Sequence, residues 1–165
     1  MRSLGSGTTF RARRERVSRR AWPFLLLCVL ATSVALGTTE PTVDELKARI
    51  ASANTADKVN LCVQVAEKSL AEADKLYASS DVEKGQGALV DVVSFSELAR
   101  DYSIQSRKHQ KQTEIAVRGM TRKLNNILHL LGHDDQAAVK DAINRLERVR
   151  DDLLLSMFPK GAPPQ

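Results

Sequence analysis

Proline is absent from the whole stretch between Pro41 and Pro159. Glycine is scarce in the same stretch, where it occurs at Gly85, Gly87, Gly119 and Gly132. A turn-rich β fold needs both residues at its turns, whereas long helices tolerate neither well. Strand-type alternation of apolar and polar residues is also missing. These absences favour an all-α fold.

Cysteine is almost absent as well, since the chain has only Cys28 and Cys62. Cys28 lies in an apolar N-terminal run, so a domain that follows this run keeps a single thiol and no intrachain disulfide. We expect Cys62, one turn from Val59 and Ala66, to be a buried and inert thiol. Motifs for a nucleophile elbow, a phosphate loop, haem attachment or paired catalytic carboxylates are absent too, and the sequence predicts a protein that is not an enzyme.

The formal charge of +5 is unevenly distributed. Seven arginines occupy the first twenty residues, whereas residues 38–165 carry 18 Lys and Arg against 19 Asp and Glu. A domain of that balance has no overall field that attracts phosphates, so nucleic acid is not an expected partner.

The arginine-rich start is followed by an apolar run from Phe24 to Leu36, and the small residues Ala35 and Gly37 lie at and just after the end of this run. This order is typical of a secretory signal peptide, which predicts cleavage after Gly37. The run is shorter than the roughly 20 residues that span a bilayer, so no stable membrane span is expected after cleavage. We therefore expect an exported protein, periplasmic or secreted. The alternative is anchoring by an uncleaved N-terminal segment.

Residues 38–158 are predicted to form the helical domain, and residues 159–165 a flexible proline-rich tail. Thr42, Asn54 and Asp81 are expected to begin helices, because each can accept a bond from a first-turn N–H. A heptad seam is predicted in the second helix, which we expect to end near Ala78. Its members are Val59, Val63, Ala66, Leu70, Ala73 and Tyr77.

The pattern after Asp81 leaves two interpretations open. Apolar residues recur from Ala88 to Tyr102, fade between Ser103 and Glu114, and resume in the same phase. The segment is therefore one helix of roughly 45 residues, about 65 Å long, or two helices broken near Gln110. Gly132 is expected to end the segment as a C-cap.

A last helix is expected to start at Asp134 or Asp135, with an apolar stripe along one face. The stripe consists of Val139, Ile143, Leu146, Val149, Leu153 and Met157. The elements together predict an antiparallel helical bundle, or an elongated helical hairpin with extra terminal helices.

Two groups of residues are candidate sites. His129, His133 and Asp134 have types and spacing that suit a divalent metal, because histidines four apart on a helix share a face. A helix that ends at Gly132 would separate them, and helix-end and cap roles are the alternative. Arg107, Lys108 and Lys111 form a cationic stretch that suits an acidic partner surface, or simply a solvated helix face.

The sequence thus predicts an exported, non-enzymatic helical module that binds a protein partner or itself through a helical face. The alternative is a small periplasmic protein that binds metal or senses stress through His129 and His133. No cofactor is expected in either case.

Overall fold

The computed structural model describes residues 40–159, which are 88% helical and contain no strand. The predicted signal peptide and the tail beyond Pro159 lie outside the described residues. The helices are α1 (Val43–Ser52), α2 (Thr55–Ala78), α3 (Val82–Ser106), α4 (Gln110–Leu130) and α5 (Gln136–Met157). Within residues 40–159, no helix is both long and apolar enough to cross a membrane.

The first three helices begin where their capping residues predict. Thr42 accepts a bond from the Glu45 N–H, and the Glu45 carboxylate accepts one from the Thr42 N–H, which completes a capping box. Asn54 and Asp81 accept bonds from backbone N–H groups in the first turns of α2 and α3. Local sequence therefore sets these three boundaries.

The helices pack against one another as a bundle, as predicted. Helices α2 and α3 are antiparallel: the Lys58 ammonium lies 5.5 Å from the Tyr102 ring centroid at one end, and Tyr77 packs on Gly85 at the other. Helix α5 packs on both α3 and α4, and α1 packs on α2. Helix α3 is thus central, with neighbours on more than one side.

The core is aliphatic apart from Tyr77 and is continuous through α2, α3, α4 and α5. The apolar stripe predicted for α5 is buried, apart from a partly exposed Met157. In α2 the predicted seam is correct except at Val63, which is only partly buried, while Cys62 and Val65 are fully buried beside it. The buried face of α2 is therefore wider than a heptad seam, because α2 contacts α1 and α4 as well as α3.

Of the two interpretations for residues 82–131, two helices is the correct one. Arg107 and His109 both adopt left-handed backbone conformations, with φ of 54° and 61°, and they separate α3 from α4. Left-handed geometry at a residue with a Cβ costs roughly 1–2 kcal/mol. Packing offsets this cost, because the break lets α4 fold back along the bundle and bury its apolar face.

The expectation that Gly132 would cap α4 is wrong. Helix α4 ends at Leu130, and Gly132 has φ of −61°, which any residue adopts. The last carbonyls are satisfied instead by the Gln136 side chain, whose amide nitrogen donates to the oxygens of Leu128 and Leu131. A short 3₁₀ turn, His133–Asp135, then leads into α5.

A serine occupies the left-handed position of the α2–α3 turn, where glycine is the usual residue. Ser80 has φ of 62°, while Asp81 N–H donates to the Leu76 oxygen and Ser80 N–H to the Tyr77 oxygen, the two bonds of a Schellman motif. Ser80→Gly is expected to raise the free energy of unfolding by about 1 kcal/mol, because it removes the Cβ penalty.

Urea denaturation followed by circular dichroism measures this gain. The adjacent Ser79→Gly is the matched control, since Ser79 has φ of −90° and its hydroxyl donates to the Leu76 oxygen. Ser79→Gly is expected not to raise the free energy of unfolding. Equal effects at the two positions would contradict the Schellman geometry.

Candidate functional site

The predicted cationic residues lie together at the α3–α4 turn. Arg107 follows the last turn of α3, and Lys111 is in the first turn of α4. Arg107, Lys108 and Lys111 are exposed, and none of them forms an ion pair with a carboxylate in the part of the chain that the structure describes. Their positive charges are therefore available at the surface.

Exposed apolar side chains occupy the same end of the bundle. The Gln110 amide donates to the Ser156 hydroxyl at 2.8 Å, which brings the end of α5 beside the start of α4. Leu155 is 51% exposed and Phe158 71% exposed. They line an open recess of about 500 Å³ together with Asp151 and Leu154. Such a combination of cations and exposed apolar groups is typical of interaction surfaces.

Ile104 in α3 and Ile115 in α4 are also exposed near this turn. We call the surface the basic end, consisting of Ile104, Arg107, Lys108, Lys111, Ile115, Leu155 and Phe158. The sequence pattern predicts its three cations, whereas its four apolar members become apparent only in the folded bundle. The available signal was in α5, where Leu154 and Leu155 fall outside the apolar stripe and therefore have no place in the core.

Most carboxylates near the basic end are already engaged. Asp152 accepts a bond from Arg100 at 3.0 Å, and Arg100 also pairs with Asp101. Glu114 is buried and accepts a bond from Arg150 at 3.1 Å. These pairs join α3 to α5 and α4 to α5. They stabilise the bundle. Asp151, which lines the recess, has no ion-pair partner among the described residues.

The predicted metal ligands are placed on different elements. His129 is in the last turn of α4, while His133 and Asp134 are in the 3₁₀ turn, and all three are exposed. Across residues 40–159, no group of three or more His, Cys, Asp and Glu side chains is placed to hold a metal ion. The extended backbone of Leu131 and Gly132 lies between the two histidines, so they do not share one helix face.

We expect Zn²⁺ and Cu²⁺ to leave the melting temperature unchanged. A metal bound only to the native state at a hundredfold excess over Kd would add about 2.7 kcal/mol, a shift of several degrees for a domain of this size. Thermal melts with and without metal measure the difference, and His129→Ala is the control. A rise in melting temperature that is lost in His129→Ala would support the metal site.

A polar cleft of about 250 Å³ lies between α3 and α5. The cleft is lined by an ion pair in which Nη2 of Arg145 donates to both carboxylate oxygens of Glu97, at 2.8 and 3.0 Å. Arg100 and Asp152 pair at the same cleft. With these opposite charges bound to each other, the cleft is best explained as a link between helices.

Cys62 is fully buried and unbridged, as expected. Burial raises the pKa of its thiol to about 11. The group is therefore a protonated, weakly nucleophilic thiol at neutral pH, which suits a packing role.

The basic end is thus the strongest candidate site in the described chain, because it combines unpaired charge, exposed apolar surface and a recess. Comparison of the chain with protein-family models, with curated proteins and with solved structures gives no match.

Proposed function

We propose that this protein is an exported, non-enzymatic binding module that takes an acidic polypeptide on its basic end. The observation that carries the proposal is that Arg107, Lys108 and Lys111 are exposed and have no carboxylate partner in residues 40–159. They lie at the same end of the bundle as the exposed Leu155 and Phe158, because a hydrogen bond joins the start of α4 to the end of α5. Export is proposed from the N-terminal sequence pattern.

The cations and the exposed apolar side chains of the basic end contribute to binding in different ways. Exposed cations speed the encounter with an acidic partner and select its charge, at a strength that salt reduces. The apolar groups supply affinity when they leave water, at about 25 cal/mol per Å² of apolar surface buried. The matching partner surface is acidic and presents at least one apolar side chain to the recess.

Site-specific photo-crosslinking in the native cells tests the proposal. A photoreactive residue at position 155 is expected to form adducts with an acidic polypeptide, whereas the same residue at Glu67, on the exposed face of α2, is not. Adduct yield at position 155 should fall at least about tenfold in Lys108→Glu/Lys111→Glu, the result of losing roughly 1.4 kcal/mol.

The matched control is Arg122→Glu, an exposed arginine of α4 away from the basic end, which should leave the yield unchanged. Adducts that form equally at positions 67 and 155, or that survive charge reversal at the basic end, would overturn the proposal.

A further inference from the structure

The end of the bundle opposite the basic end carries more acidic residues than basic ones, and the basic ones include Lys75 and Lys84. Helices α2 and α4 end there, and α3 and α5 begin there. The acidic residues Asp81, Glu83, Asp134 and Asp135 lie in or beside the two connections at this end. Lys84 pairs with Asp81, and the other three carboxylates have no ion-pair partner among the described residues.

The two connections of this end are neighbours in space. The starts of α3 and α5, which follow the two connections, lie side by side, since Gln86 and Leu89 of α3 line one shallow recess together with Ala138 and Asp141 of α5. The acidic residues of the two connections therefore lie on one region of the surface.

A single large apolar side chain projects from this acidic surface. Leu130, the last residue of α4, is 84% exposed, the most exposed large hydrophobic residue within 40–159. We call this surface the acidic end, consisting of Asp81, Glu83, Leu130, Asp134 and Asp135. It carries the features that a partner of the basic end must have: negative charge and a protruding apolar side chain.

We infer that the occupant of the basic end is the acidic end of a second copy of this chain, with Leu130 seated in the recess beside Leu155 and Phe158. This inference rests on the proposed function, whose partner it names. The cations of the basic end and the carboxylates of the acidic end have opposite charge, and the recess offers the apolar side chains of Leu154, Leu155 and Phe158 to a leucine. Electrostatic complementarity of this kind selects the partner and sets its orientation.

The symmetry of such a contact has a direct consequence. The contact is heterologous, since different surfaces of the two copies meet, and the pair keeps a free basic end on one copy and a free acidic end on the other. A heterologous contact that does not close into a ring builds an open chain of copies, whereas a contact between identical patches stops at a dimer.

Sedimentation velocity of the protein, purified with the N-terminus it carries in its native cells, tests the inference. The weight-average mass should rise with concentration to more than about twofold that of the monomer, which exceeds a closed dimer. Raising the salt concentration from about 0.1 M to about 1 M shortens the screening length from about 10 Å to about 3 Å and should reverse the rise.

Two variants, each blocked at one end, show which surfaces meet. Leu130→Asp blocks the acidic end and Leu155→Asp blocks the basic end, and both residues are exposed, so neither change places a charge in the core. Each variant alone should stay monomeric. An equimolar mixture should form a 1:1 dimer and nothing larger, because one native acidic end and one native basic end remain. Val90→Asp, at a 63% exposed position on the side of α3, should assemble like the wild type.

A protein that stays monomeric at submillimolar concentration and low salt would overturn the inference, as would a mixture of the blocked variants that fails to dimerise. In that event, adducts at position 155 with a different acidic polypeptide would leave the proposed function standing. The absence of adducts at position 155 would overturn both the inference and the proposed function.

Discussion

Replacing Leu146 by alanine is expected to lower the free energy of unfolding by about 3 kcal/mol, a substantial part of the 5–15 kcal/mol that holds a typical domain. Leu146 is 0% exposed and belongs to the continuous core of the bundle. Its helix, α5, packs on both α3 and α4, so a cavity at this position removes contacts between three helices. Surrounding side chains cannot fill the cavity without disturbing their other contacts.

Urea denaturation measured by circular dichroism at 222 nm gives this value, and it should be done at high salt and low protein concentration to suppress self-association. The matched control is Leu155→Ala, which makes the same chemical change in the same helix at a 51% exposed position. The control should change stability by no more than about 0.5 kcal/mol. Equal effects of the two variants would contradict the packing of α5 in the bundle.

Local sequence was sufficient for the N-caps of the first three helices. The caps at Thr42, Asn54 and Asp81 lie within three residues of the N–H groups they bind, so the sequence alone predicts them. The stripe of α5 was predicted because that helix buries one face. The class of fold followed from the same periodicities.

Features that depend on distant contacts were not predictable in this way. Phe95 and Tyr102 belong to the apolar residues that recur from Ala88 to Tyr102 at heptad spacing, but they are only partly buried, whereas Leu89 and Val93, outside that pattern, are buried. A heptad seam describes contact with one partner, and α3 has several. The end of α4 was placed correctly for the wrong reason, since Gln136, six residues away, supplies the cap. The basic end was half predicted, because exposure of Leu155 and Phe158 is a property of the assembled bundle.

The close contact between Tyr77 and Gly85 predicts the second large change in the free energy of unfolding, on substitution of Gly85. A Cβ at Gly85 would lie 3.1 Å from the Cε2 and Cζ atoms of the Tyr77 ring and 3.2 Å from Cε1, tighter than ordinary van der Waals contact. The ring is buried against α3 and has little room to retreat, since Tyr77 is 7% exposed and packs in the core cluster. The glycine therefore serves close approach of α2 and α3, and it does so with an ordinary helical backbone.

Gly87, one half-turn later in the same helix, is the matched control, because a Cβ there would meet nothing within 4 Å. Gly87→Ala is expected to raise the free energy of unfolding by about 1 kcal/mol, the usual gain of alanine over glycine inside a helix. Gly85→Ala should bring the same helical gain, but displacing the Tyr77 ring costs about 1–3 kcal/mol. The Gly85→Ala protein should therefore be less stable than the Gly87→Ala protein by roughly 2 kcal/mol.

A double-mutant cycle isolates the ring as the cause. In a Tyr77→Leu background the flat ring is gone, so Gly85→Ala should then be less destabilising by at least about 1 kcal/mol than in the wild type. Gly87→Ala should have the same effect in both backgrounds, because no atom of Tyr77 lies near it. Denaturation of the four proteins of each cycle measures the coupling. A coupling of zero between positions 77 and 85 would mean that the tight approach of α2 and α3 does not rest on this glycine.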